Sequence, residues 1–168
     1  DDLSNDILET SDRMTRILVD FLDVAKEKEA EEWTPVNLLY VINELVHLLR
    51  SKMNAQKIKV NCLYEANEAF VLGMKNQLTQ AFLNLMLNSI QAMELGGTLT
   101  VLVKNINNAW EVEIRDTGVG ISTSMLERIF NPFFSTKRQG TGLGLSITHE
   151  IIIRHKGTIW ASSTGENG

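Results

Sequence analysis

The chain has 168 residues, 43% hydrophobic and 22% charged, which allows one well-buried core with something appended and excludes a disordered chain. A net charge of -5 with a pI near 5.2 gives no general attraction to nucleic acid, and the single Cys62 excludes an intramolecular disulfide and a cysteine-built zinc site. No apolar run approaches the roughly 18 residues that span a bilayer, and the acidic Asp1-Asp2 start is no signal peptide, so a cytoplasmic location is expected, with any membrane anchor of a parent protein outside this chain.

Leu3, Ile7, Thr10, Met14, Ile17, Phe21 and Val24 alternate in spacings of four and three, the seam of a helix that packs on other helices, and Leu18 and Leu22 widen the stripe. A helix over Leu3 to Glu29 would be about 40 Å long at about 1.5 Å per residue, and no later segment repeats its pattern to serve as its partner. The charged run Lys26 to Glu32 reads as a solvated helix end, and Thr34-Pro35 breaks the helix at a domain boundary, which divides the chain into 1–32 and 33–168. "VNLLYVINELVHLLRSK" then has one buried side through Leu38, Ile42, Leu45 and Leu49, and "KIKVNCLY" alternates as a strand. A helix from about Lys75 to Glu94 stops before Gly96-Gly97, and the strands "TLTVLVKNI" and "WEVEIRD" follow, joined across Asn107-Asn108, residues that tolerate the positive φ of a tight hairpin turn. Beyond lie a loop from Gly118 to Gly140, a helix from about Gly142 to His155 closed by Gly157, and a last strand "TIWASS". The expected architecture is α+β, a mixed sheet with helices on one face, preceded by one long helix.

Three segments carry chemistry. On the helix "NQLTQAFLNLMLNSIQAM", Gln77, Gln80, Asn84, Asn88 and Gln91 fall within a stripe about 80° wide at about 100° per residue, bordered by apolar residues on both sides. All five are amides, which suits a pocket wall: an amide oxygen can ligate Mg²⁺ without adding negative charge beside a triphosphate, and the NH₂ group can donate to phosphate. The plainer alternative is a solvated face that lacks charge. "DTGVGI", Asp116 to Ile121, places a carboxylate beside glycines that leave room for a flat ring; accepting from an exocyclic amine it would select adenine over guanine, although Asp and Gly are also the commonest turn residues. In "NPFFSTKRQGTGLGLSI", Lys137 and Arg138 can reach phosphates, and Thr141 with the N–H groups around Gly142 and Gly144 can cradle them at a helix start. The spacing is not that of the dinucleotide fingerprint, since Leu145 stands where its third glycine is required, and no G-x-x-x-x-G-K-[ST] loop occurs. The segment between the glycine groups is about 20 residues, the length of a lid, with Phe133 and Phe134 expected to plug one end of it into the core.

In this order, the amide helix, Asp-x-Gly-x-Gly, Asn-Pro-Phe-Phe and Gly-x-Gly-x-Gly resemble the N, G1, F and G2 boxes of bacterial sensor histidine kinases. The resemblance runs from about Pro35 to Ser163 and is to the ATP-binding catalytic domain that these kinases share with gyrase, Hsp90 and MutL, a two-layer α/β sandwich of the Bergerat type. Residues Leu3 to Glu29 resemble the second helix of the dimerisation hairpin, and "NSIQAM" with the short lid is most similar to sporulation and nitrogen-regulatory kinases. The resemblance implies ATP and Mg²⁺ as ligands, with Asn88 on the metal, Asn84 by the phosphates, Asp116 on the adenine amine, and Gly118 and Gly120 shaping the base pocket. It implies Lys137 at the γ-phosphate and Gly140, Thr141, Gly142, Leu143 and Gly144 along the phosphate chain, with Asn84 and Lys137 the catalytic pair. It also implies transfer of the γ-phosphoryl group to a histidine and then to a response regulator, in a homodimer formed through the hairpin, with no nucleic acid partner.

The phosphoacceptor box of the family is absent. His47 lies with Asn43 and Arg50 on the polar side of its helix, His149-Glu150 is followed by "IIIRH" where a proline is required, and His155 with Arg154 and Lys156 is expected to complement a helix dipole as a cation. The fragment would therefore act on a histidine supplied separately, and it stops at "STGENG", where the family continues into one more strand. Two other readings compete: an ATPase clamp, which usually carries a carboxylate where this chain has Asn84, and a nucleotide-sensing scaffold without phosphoryl transfer. The seam from Leu3 to Val24, which must pack on material outside this chain or on another copy, predicts an unsatisfied apolar stripe in an isolated monomer; sedimentation showing a strict monomer with the stripe buried on its own domain would contradict it.

Overall fold

The computed structural model describes residues 32–135 and 142–164; the helix expected over Leu3 to Glu29, and Lys137, Arg138, Gly140 and Thr141, lie outside the described residues. The elements run β1 (Thr34–Asn37), α1 (Leu38–Ala55), β2 (Ile58–Tyr64), β3 (Phe70–Gly73), α2 (Lys75–Ala92), β4 (Gly97–Ile106), β5 (Ala109–Asp116), α3 (Thr123–Leu126) and α4 (Gly144–Arg154). Two short strands and one short helix, β1, β3 and α3, add to those expected from the sequence. Pro35 stands in β1, where the strand needs few ladder donors, and Asn37 ends it by capping α1: its Oδ1 accepts from the Leu39 N–H at 3.1 Å and from the Ala69 N–H at 3.3 Å. That one side chain joins the start of α1 to the approach to β3, which pairs antiparallel with β1 from Thr34↔Gly73 to Asn37↔Phe70.

The larger sheet has the order β2-β4-β5. β2 and β4 are parallel, from Ile58↔Gly97 to Tyr64↔Val103, and β4 and β5 are antiparallel across the Asn107-Asn108 turn, whose φ values of 51° and 64° are the left-handed pair a two-residue hairpin requires. Leu99, Val101 and Val103 are buried on one face of β4, and their partners Asp116, Ile114 and Val112 share that face; Lys104 and Glu111 pair on the other at 2.9 Å. The register therefore delivers the Asp116 side chain to the covered face of the sheet.

Helices α1 and α2 cover that face. Leu38, Ile42, Leu45, Leu49 and Met53 of α1, Leu78, Phe82, Leu83, Met86 and Ile90 of α2, and the β4 residues form one core. Tyr64 ties β2 to α1 by donating from its hydroxyl to Asn43 Oδ1 at 2.9 Å, and burial, followed by the Cys62 thiol, raises that phenol above its ordinary range. α4 packs on α2, so the helices lie to one side of the sheet as expected. The stretch expected as a last strand has no regular structure from 157 to 164: a strand needs a backbone ladder, whereas here the Ile121 N–H donates to a side chain, the Ser163 hydroxyl, at 3.0 Å. No helix among the described residues is long and apolar enough to cross a membrane. Met86 is fully buried between α2 and the sheet, so Met86→Ala is expected to lower stability by about 2–5 kcal/mol, read as a lower urea midpoint with an unchanged slope.

Candidate functional site

α2 positions the site along its length. Of its amide stripe, Gln77, Gln80 and Asn84 are buried, Asn88 is half-buried and Gln91 is exposed. The stripe is therefore no solvated face over its first part, which is buried, and its accessibility rises from Asn88 to Gln91. Asn84 marks the change. Its Nδ2 donates to the Gly144 carbonyl at 3.1 Å and lies 3.4 Å from Thr148 Oγ1, while the Thr148 hydroxyl donates to the same carbonyl at 2.9 Å. With its nitrogen engaged by α4, Asn84 keeps Oδ1 as the atom that can accept a proton or ligate a cation.

The other end of α2 holds the Asp-x-Gly-x-Gly turn. Asp116 Oδ1 accepts from the Gly118 N–H at 2.9 Å, an Asx turn that fixes the carboxylate and leaves Oδ2 available. The Val119 N–H donates to the Ala92 carbonyl at 3.1 Å. A Cβ at position 118 would meet the Ala92 carbonyl oxygen at 2.6 Å and its Cβ at 2.7 Å, so this glycine is required for the loop to lie on the end of α2. Thr117 Oγ1 adds a tie to the sheet by accepting from the Thr98 N–H at 3.0 Å. Gly120 follows with φ 71°, and Val119 beside it is 69% exposed, an apolar side chain presented at the mouth of the turn.

At the start of α4, Leu143 occupies the N-cap without a side-chain cap for the first turn. Gly142 has φ +67°, and a Cβ there would lie 2.5 Å from the Phe133 carbonyl carbon, so it serves the junction with the Asn-Pro-Phe-Phe segment. That contact is to backbone. The Phe133 ring is 77% exposed, and the residue itself has φ 64°, so it does not plug the core; Phe134 is half-buried under the Arg128 guanidinium at 4.7 Å, and Ile129 is the apolar side chain of this segment that is buried. The left-handed backbone at Phe133 turns its side chain outward, a reversal that residue type does not reveal.

The site thus gathers Asn84, Asn88, Asp116, Gly118, Gly120, Gly142, Leu143 and Gly144 around α2, and Lys137, Gly140 and Thr141 lie outside the described residues. Thr148 and Ala92 were not evident as site residues from sequence. Thr148 lies one turn after Gly144 on the α2-facing side of α4, a spacing that could have suggested it; Ala92 contributes only backbone and carries no such signal. The histidines offer no free acceptor constellation: His47 is exposed on α1, His149 packs 5.8 Å from the Phe130 ring, and both ring nitrogens of His155 are hydrogen-bonded. His155 is not the helix-dipole cation expected of it, because Nε2 accepts from the Met74 N–H, which an imidazolium cannot do.

A two-layer α+β fold whose Asp-Gly turn and glycine-started helix meet along one amide-bearing helix is the architecture of a nucleotide-binding ATPase domain. The chain belongs to the family of histidine kinase-, DNA gyrase B- and HSP90-like ATPases, whose profile matches residues 73–168, and such domains use ATP. Over 156 residues it is 36% identical to sporulation kinase A of Bacillus subtilis (strain 168), covering 93% of this chain and 26% of that protein. It is 33% identical over 160 residues to the sensor histidine kinase ZraS of Escherichia coli O157:H7, covering 94% of this chain and 34% of that protein. The chain therefore spans about a quarter to a third of these two relatives. Among solved structures, the catalytic domain of histidine kinase ThkA matches with a TM-score of 0.71 at 32% identity, covering 77% of this chain and 86% of that one, and shares its α+β architecture.

Replacing Gly118 by Ala is expected to push the turn off Ala92 and destabilise the chain by about 1–3 kcal/mol, measured by urea denaturation.

Proposed function

We propose that this chain is the ATP-binding catalytic part of a sensor histidine kinase, of the sporulation or nitrogen-regulatory kind, that transfers the γ-phosphoryl group to a histidine on a separate helical hairpin for relay to a response regulator. The observation that carries the reading is the placement of two unlike anchors on one helix: Asp116 and Gly118 dock at Ala92, and Asn84 meets the start of α4. Eight residues of α2 separate Asn84 from Ala92, about 12 Å at about 1.5 Å per residue, with Asn88 midway. An extended nucleotide lying along that length meets a carboxylate at one end and amide and backbone N–H donors at the other.

Each role follows from the group available. Asp116 Oδ2 accepts from the adenine amine and rejects the guanine carbonyl, while the Gly118 N–H bond keeps the carboxylate from turning away. Gly120 and Gly118 hold backbone close to the ring face. The first turn of α4, from Leu143 and Gly144 onward, offers N–H groups to phosphate oxygens, aided by Gly140, Thr141 and Gly142. Asn88, and Asn84 through its Oδ1, would hold Mg²⁺ with neutral amide oxygens, and the ion would supply positive charge to offset that of the phosphates. Lys137 balances charge on the γ-phosphate. The acceptor imidazole comes from outside residues 33–168, in a dimer whose hairpin includes residues 1–32; neither nucleic acid nor membrane contact is assigned to this chain.

The amide at Asn84 favours phosphoryl transfer to protein over an ATPase clamp, since it donates to the Gly144 carbonyl, a bond a carboxylate cannot make. Calorimetric titration with ADP, ATP and GDP, each with and without Mg²⁺, tests the reading. Adenine nucleotides are expected to bind in preference to GDP, Asp116→Asn to weaken ADP by about tenfold or more, and Asn88→Ala to abolish the Mg²⁺ dependence. A folded chain that binds GDP as well as ADP would overturn the assignment of Asp116.

A further inference from the structure

α4 is fastened to α2 at both ends, and the second fastening belongs to none of the groups assigned above. At the start of α4, Asn84 Nδ2 donates to the Gly144 carbonyl at 3.1 Å. At its end, His155 Nε2 accepts from the Met74 N–H at 3.0 Å, and His155 Nδ1 lies 2.7 Å from the Ile151 carbonyl oxygen. A backbone N–H can only donate and a carbonyl can only accept, so the ring is the neutral tautomer with its proton on Nδ1. Met74 is the N-cap residue of α2 and has no side-chain cap of its own. His155 therefore reaches from the C-cap of one helix to the N-cap of the other.

The surroundings hold the ring in that pose. Trp33 packs against it with centroids 4.8 Å apart and planes at 46°, and a Cβ on Gly73 would meet His155 Cδ2 at 2.9 Å, so the last residue of β3 must be small for the ring to enter. The spacing of the two fastenings also matches. Asn84 follows Met74 by ten residues and His155 follows Gly144 by eleven, so on antiparallel helices both lie about 15–17 Å apart at about 1.5 Å per residue. One contact would let α4 slide or pivot on α2; two at matched separation fix both its height and its rotation.

We infer that His155 is a positioning residue that sets the register of α4 on α2, and through it the place of the Gly142–Gly144 turn relative to Asn84 and Asn88. The inference rests on the nucleotide reading of that turn for its effect on binding, but not for the register itself. His155→Phe keeps a ring against Trp33 and removes the acceptor; His155→Gln keeps an oxygen that can accept from the Met74 N–H. In the 168-residue chain, three readouts apply: the ¹⁵N spectrum of the ring at pH 8, the Asn84 side-chain amide resonances, and ADP affinity by calorimetry. The ring is expected as the Nδ1–H tautomer; the Phe variant is expected to shift the Asn84 amide, about 15 Å away, and weaken ADP about tenfold, and the Gln variant to restore both to within about threefold. A mere loss of stability would lower the unfolding midpoint without moving the Asn84 amide of the folded chain. An Nε2–H or cationic ring, or a folded Phe variant with native Asn84 resonances, would overturn the inference. If the Phe variant does not fold, the tautomer and the Gln variant decide. If the unsubstituted chain binds no ADP while the amide still shifts, the nucleotide reading fails and the register role stands.

Discussion

Burial of α2 on two sides is the constraint from which the rest follows. One side is apolar and closes the core with Leu78, Phe82, Leu83, Met86 and Ile90 over β4; the other is amide-rich and meets α4. A helix so enclosed has no freedom to rotate without exposing apolar area or stranding polar groups, so whatever is docked on it inherits a fixed position. The Asp116–Gly118 turn and the start of α4 are both docked on it. Neither is rigid by its own sequence, being rich in glycine, and each obtains its order from a backbone or amide contact with α2.

That division explains what could be read from the residues alone. The helices α1, α2 and α4 and the strands β2, β4 and β5 follow from apolar periodicity, and the Asn107-Asn108 turn from residue chemistry, because each is dictated within its own segment. β1 and β3 escaped because each has only four residues and exists by pairing with the other; "TPVN" and "FVLG" carry no period long enough to register. The segment after Gly157 alternates as a strand does, yet forms none, since alternation supplies a face and not a partner.

At the site, residue types were legible and their couplings were not. An aspartate before spaced glycines, and asparagines one turn apart, can be picked out by chemistry. That Gly118 must be glycine because Ala92 lies beneath it, that Asn84 spends its nitrogen on Gly144, and that His155 is held neutral between Met74 and Ile151 are facts of tertiary approach. Phe133 and His155 share this origin: residue type suggests a core plug for the one and a helix-dipole cation for the other, and a left-handed backbone in the first case and an amide donor in the second reverse the assignment.

The parallel pairing of β2 with β4 carries a consequence for how the molecule assembles. Every residue of β2 meets one that lies thirty-nine places later in the chain, so pairing the two strands closes a loop that contains all of β3 and α2. Closing that loop entails a conformational-entropy loss before any pairing energy returns, and it is the burial of α2 that offsets it. The amide-bearing helix thus lies inside the loop that the β2–β4 pairing closes, so completing the sheet and burying α2 are coupled events.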